Sequence, residues 1–237
     1  GEMAGRSGGP SGGMNMAKLA DLKTKKPLEM RMVPASFATR AEGETGTIHG
    51  RPIVFNSRTD LGYFDEIIDP RALDQADLTD VRLCLNHDTS YVYARSRRNN
   101  PRSTMRLQVG PEGMDIEADL AIGQSPRAQD YYSAVERGDM DKMSFMFSVK
   151  RDEWMDLESD HPTRRILEIG SVVEVSCVTF PAYEATSIEI NERSKEALES
   201  ARRAVETARE QRDKAVETDL EVRKLKNENL IRLGGIK

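Results

Sequence analysis

Between about Ser36 and Ile190 the chain never runs far without a turn, and this rhythm limits its fold more than any other feature. Short runs of β-branched and aromatic residues alternate with Gly, Pro, Asn and Asp. "GTIHGRPIVF" (46–55) and "YFDEIID" (63–69) are the first two predicted strands. "DPRALDQ" reads as a short helix, with Asp69 as cap and Pro70 at its first position. "VRLCLNH" (81–87) is a third strand that ends in a histidine, and "STMRLQVGPEGMDIEADL" (103–120) is a hairpin turning at Gly110–Gly113. "SPRAQDYYSAVERG" (125–138) has the marks of a helix: Ser125 as cap, Pro126 at N1 and Gly138 as the stop. Strands follow at 142–151, 164–170 and 171–180. Several short strands with only two modest helices predict a mainly β, α+β domain, a barrel or sandwich with helical decoration.

The two ends differ from this middle. Residues 1–35 open Gly/Ser/Pro-rich and continue with a lysine cluster, the composition of a flexible lead-in. The first dozen positions would suit an appended scar or a propeptide. The segment 191–237 has no proline and no glycine until its end, and Ala, Glu, Arg and Lys dominate it. Leu198, Ala201, Val205, Ala208, Ala215 and Val222 keep a spacing of three or four, but Arg212 and Asp219 fall on the same seam, so the heptad is weak. A long charged helix is expected there, either a solvated tail or a coiled-coil segment for self-association or assembly. A flexible segment (1–35), a β domain (36–190) and a helical segment (191–237) are therefore the expected parts.

Charge excludes one class of partner. With 35 Lys and Arg against 40 Asp and Glu the net charge is −5, which gives no general nucleic-acid-binding surface. The two cysteines, Cys84 and Cys177, lie in apolar strand-like runs with neither zinc nor disulfide-framework spacing, as in a reduced compartment. No apolar run approaches the roughly 18 residues of a membrane span and no signal-peptide pattern opens the chain, so a soluble intracellular protein is expected.

Few residues are left to carry chemistry. In "DMDKMSFMFSVKRDEW" (139–154) strand alternation sends Met143, Phe145, Phe147 and Val149 to one face and Ser144, Met146 and Ser148 to the other. Ser144 is thus either a surface serine or a nucleophile on a stiff support. Of three histidines, His49 in "TIHG" and His161 in "SDHPT" read as surface residues, whereas His87 follows directly on an apolar strand. Nucleophilic catalysis needs a base beside the hydroxyl and a third group that fixes the imidazole. Glu174, a charge inside "GSVVEVSCVTFPAYEAT" (170–186), could be that group, or an edge-strand gatekeeper or the partner of a nearby arginine.

The order "NHD", "GDMDKMSFMF" and "VVEVSCVTFPAYEAT" closely resembles the prohead maturation proteases of tailed bacteriophages, and "GRPIVFNSRTDLGYFDEIIDPRAL" resembles that family's opening. The resemblance covers roughly residues 45–190. It implies a serine endopeptidase with a β-barrel like that of the herpesvirus assembly proteases, followed here by the long charged helix. By position, Ser144 would be the nucleophile, His87 the general base and Glu174 the orienting acid. No cofactor and no metal are called for. The implied substrates are scaffold protein, the scaffolding segment of the major capsid protein and the enzyme itself, inside the immature capsid in the host cytoplasm, without nucleic acid or membrane. Two departures stand out. The family often has glycine where this chain has Met146, which would narrow the cleft, and a Leu-Gly pair where this chain reads "TSYVYARSRR". Arg95, Arg97 and Arg98 could support an oxyanion there, or be plain basic surface. The alternative function is a non-catalytic, scaffold-like assembly protein with a decayed protease fold.

Overall fold

The computed structural model describes residues 28–97, 100–179 and 184–234, with side chains given for 195–226 of the last segment. In chain order the strands are β1 (Leu28–Pro34), β2 (Ala38–Glu42), β3 (Thr45–Val54), β4 (Thr59–Asp60), β5 (Asp65–Ile68), β6 (Asp80–Leu85) and β7 (Ala94–Arg97). Next come β8 (Met105–Gly110), β9 (Gly113–Leu120), helix α1 (Pro126–Glu136), β10 (Lys142–Met155), β11 (Thr163–Val178) and helix α2 (Glu184–Gly234). Among the described residues the class is α+β, mostly β with two helices.

The alternation of residues 143–149 organises this assembly. Met143, Phe145 and Phe147, fully buried, enter the main core beside Ile48, Ile53, Met114 and Leu120. The opposite face of β10 carries Ser144, Met146 and Ser148. β10 and β11 form a long antiparallel hairpin with several register shifts, and β1 lies antiparallel along the other side of β10. β11 is long enough to serve two parallel partners in turn: Thr163–Ile166 pairs with β5, and Glu174–Cys177 pairs with β6. β4 and β7 extend these, giving seven strands; β2-β3-β9-β8 form a second sheet of four. Among the described residues the pairings close neither sheet into a barrel. The expected barrel is, in these pairings, two open sheets around one core, because the larger sheet branches at β11 instead of returning to β1.

Other expectations shift for identifiable reasons. The lead-in expected to be flexible to residue 35 is strand β1 from Leu28, held at the sheet edge by a buried ion cluster. Arg31 binds Glu66 through Nε–Oε1 (2.5 Å) and Nη2–Oε2 (2.7 Å), and Arg164 bridges Glu29 (2.8 Å), Glu66 (3.2 Å) and Asp152 (2.6 Å). The helix expected at 69–75 is a series of turns. Its backbone bonds are of the i→i+3 type, Ala72 N–H to Asp69 O and Asp74 N–H to Arg71 O, with the Asp69 carboxylate accepting from Arg71 N–H. The strands expected at 164–170 and 171–180 are one, since Gly170 fits beneath Ser148: a Cβ there would lie 2.8 Å from its Oγ. The 103–120 hairpin and the 125–138 helix form as expected. Gly113 (φ +154°) is indispensable, because a Cβ would fall 1.9 Å from Ile53 O. Ser125 Oγ accepts from Ala128 N–H, and α1 buries Ala128, Tyr131, Tyr132 and Val135 on one face. Helix α2 begins at Glu184, earlier than expected. Leu198 is buried, and Arg202 donates to Leu157 O (3.1 Å) and Ser159 O (2.8 Å) in the β10–β11 turn.

Candidate active site

Three strands supply the site. Ser144 is on β10, directly opposite Ser176 of β11, and Glu174 is two residues before Ser176 on the same face. His87 follows the end of β6, which runs parallel to β11 over these residues. Main-chain conformation delivers the imidazole: Asn86 (φ 49°) and His87 (φ 60°) are both left-handed, so the chain reverses sharply after Leu85. That conformation costs most side chains about 1–2 kcal/mol, and asparagine, whose short amide bonds locally, tolerates it better. Local bonds hold it. Asn86 N–H donates to Cys177 O (3.1 Å), Asp88 N–H to Leu85 O (2.9 Å) and His87 N–H to Ser176 Oγ (3.1 Å). Asn86 Oδ1 accepts from Thr179 N–H (2.9 Å).

The three predicted residues meet. His87 Nε2 lies 2.7 Å from Ser144 Oγ, and His87 Nδ1 lies 2.7 Å from Glu174 Oε2. Glu174 is wholly buried and Ser144 nearly so, while the imidazole keeps partial contact with solvent. A carboxylate only accepts, so Nδ1 carries the proton facing Glu174, and the neutral ring then offers Nε2 as acceptor to the Ser144 hydroxyl. The same hydroxyl lies 2.9 Å from the main-chain carbonyl of Arg31 on β1. When the ring is charged and Nε2 donates to Oγ, the serine proton can turn to Arg31 O, so both protonation states are satisfied.

Sequence reasoning missed two supporting groups. Ser176, fully buried, donates its hydroxyl to Glu174 Oε1 in a short contact and accepts from His87 N–H. The period-two rule, applied from Glu174, would have found it. Tyr131 of α1 is not legible in this way. Its hydroxyl donates to Cys84 O (3.0 Å) and accepts from Cys177 N–H (3.2 Å), bridging β6 and β11 just before His87 leaves the sheet. Both cysteines are buried free thiols. Burial, with Glu174 adding to it, pushes Cys177 up to about 12 and Cys84 higher still, so neither competes as a nucleophile.

The remaining expectations fall elsewhere. His49 is half-buried near Glu117, and His161 is exposed near Asp65. Arg95 is committed to Asp80 through two bonds (2.7 and 2.9 Å), Arg97 donates to Arg102 O (3.2 Å), and Arg98 lies outside the described residues. Met146 does not line a cleft: it is fully buried in a small cluster with Leu28, Met30 and Val173.

The family model described as caudovirus prohead serine protease matches residues 35–201. No curated protein matches the chain. A solved structure, the capsid assembly protease of bacteriophage T4, aligns with 65% of this chain and 96% of its own at 10% identity, with a TM-score of 0.38.

Proposed function

The chain belongs to the caudovirus prohead serine proteases, and from that premise we propose that it is a serine endopeptidase of capsid maturation working through Ser144, His87 and Glu174. The continuous hydrogen-bonded line from hydroxyl to imidazole to buried carboxylate carries this reading. His87 takes the Ser144 proton as Oγ attacks the scissile carbonyl, then gives it to the departing amine, leaving an acyl-enzyme. Water, deprotonated by the same ring, attacks the ester and releases the acid. Glu174 keeps the ring in the Nδ1–H tautomer and stabilises the imidazolium formed at each step.

Scaffold protein, the scaffolding segment of the major capsid protein and the enzyme's own ends are the proposed substrates, met inside the immature capsid in the host cytoplasm. The β domain is taken as a relative of the herpesvirus assembly-protease barrel, and the long helix α2 as the segment available for self-association or for carrying the enzyme into the shell. The alternative, a scaffold-like protein without catalysis, draws on methionine replacing glycine at 146; that side chain is buried among Leu28, Met30 and Val173, which favours a packing role for the replacement. The test is coexpression of the full chain with its coat and scaffold proteins, with termini mapped by mass spectrometry. Wild type should yield new termini. Ser144→Ala and His87→Ala should lower turnover about 10⁴–10⁶-fold. Equal cleavage by wild type and Ser144→Ala refutes the proposal.

A further inference from the structure

We infer that Ser176 is a positioning residue of this site, tying the Glu174 carboxylate and the His87 main chain into one unit. The inference rests on the catalytic reading above and deepens it. Glu174 has two carboxylate oxygens in a fully buried place. Oε2 faces His87 Nδ1, and Oε1 takes the hydroxyl proton of Ser176. Without that donor, Oε1 would be a buried acceptor with no described partner, and the carboxylate could turn about its last torsion. The same Ser176 oxygen accepts from His87 N–H (3.1 Å), the amide of a residue held at φ 60°. One hydroxyl thus sets the angle of the carboxylate and pins the backbone from which the imidazole projects. Its own place is fixed by pairing on both sides, with Ser144 across β10 and Cys84 across β6. The nucleophile, the orienting acid and the base are all referred to this one position.

The other polar groups nearby leave the role to Ser176. Arg82, paired in register with Glu174, donates to Asp80 (3.0 Å). Asp88 is exposed and caps Ser90 N–H (2.9 Å). Cys84, Cys177 and Tyr131 are all pushed up by burial and stay neutral between pH 5 and 9. A buried serine pair in the same hairpin, Ser148 and Ser171, supplies the comparison. The two hydroxyls bond each other (3.1 Å), and neither bonds any member of the site.

The experiment uses the full chain and a fluorophosphonate probe, which is phosphonylated onto an activated serine with loss of fluoride and requires no known substrate. Labelling rates are measured from pH 5 to 9 for wild type, Ser176→Ala, Ser176→Cys, Ser148→Ala and Ser144→Ala. Ser176→Ala should label about 10–100-fold more slowly at saturating probe with little change in half-saturation. A carboxylate deprived of one donor pairs more strongly with the imidazolium, so the acid limb should move up by about 0.5–1 pH unit. Ser176→Cys, similar in volume and a weak donor, should recover part of both changes and also decides the question if Ser176→Ala does not fold. Ser148→Ala should leave the midpoint where it is. Wild-type rate and midpoint in the Ser176 variants overturn the inference, as does an equal midpoint shift in Ser148→Ala. Labelling of Ser144→Ala at the wild-type rate overturns instead the catalytic reading beneath it.

Discussion

Replacing Arg31 by methionine should loosen the strand beside Ser144 from the rest of the sheet. The guanidinium is buried and bonded to three acceptors: Glu66 through two bonds, Glu29 (2.6 Å) and Met30 O (2.7 Å). The cluster holds the carboxylates of Glu29, Glu66 and Asp152 against the guanidinium groups of Arg31 and Arg164. Arg31→Met leaves three carboxylates facing one cation, with Glu66 almost fully buried and only a 3.2 Å contact to Arg164. Stranding a buried charge in this way costs about 3–5 kcal/mol. Removing Glu66 as well, in Arg31→Met/Glu66→Leu, restores the original excess of one negative charge and should recover most of that loss. The sole tryptophan, Trp154, is a built-in reporter, 4.8 Å from Phe64 between ring centroids and 5.8 Å from the Arg164 guanidinium. With a urea m-value of about 2 kcal/mol per M, the midpoint followed by its fluorescence should fall by about 1.5–2.5 M in the single variant. A single-variant loss below about 1 kcal/mol, or a double variant as unstable as the single, would refute the reasoning.

Three further outcomes follow from other contacts. Burial raises the pKa of Glu29, but Arg31 and then Arg164 outweigh it and hold the carboxyl at about 2 against a reference of 4.5; its contribution, about 3 kcal/mol, is full above pH 4.5 and lost as pH falls toward 2. Glu29→Gln should therefore flatten the acid limb of stability measured by urea titration at pH 2–6. Tyr131→Phe leaves Cys84 O and Cys177 N–H without their bridge and should cost about 2–4 kcal/mol by thermal melting, with slower labelling of Ser144 because the β6–β11 junction loosens. Asn86→Ala should destabilise by about 1–2 kcal/mol from the left-handed backbone alone, and Asn86→Gly should recover that part but not the lost acceptor for Thr179 N–H, which paired melts of the two variants would resolve.

The site was more legible than the fold around it, and the reason is the range over which each signal acts. Ser144, Glu174 and the end of the His87 strand are set by local alternation and by a family resemblance that spans all three. Local pattern also carried the 103–120 hairpin and helix α1, whose cap, proline and stop glycine lie within fourteen positions. Strand β1 was hidden because "LEMRMVP" gains its order from partners far along the chain. Glu66 is 35 residues from Arg31, and Arg164 is 135 residues from Glu29. No local window contains those pairs. The turns at 69–75 show the reverse error: a good cap and an N1 proline begin a helix only if packing lets it continue, and here the chain must rejoin the sheet at Asp77, whose N–H already donates to Gly170 O. The geometry of the proposed site nevertheless depends on these non-local contacts. β1 closes one side of Ser144 and presents the Arg31 carbonyl to its hydroxyl, Tyr131 bridges Cys84 O and Cys177 N–H shortly before His87, and Ser176 joins His87 N–H to the Glu174 carboxylate. Sequence alone could nominate Ser144, His87 and Glu174 because each lies on, or directly after, a locally patterned strand. What holds them at 2.7 Å is a set of side chains whose value appears only once β1, β6, β10, β11 and α1 are assembled.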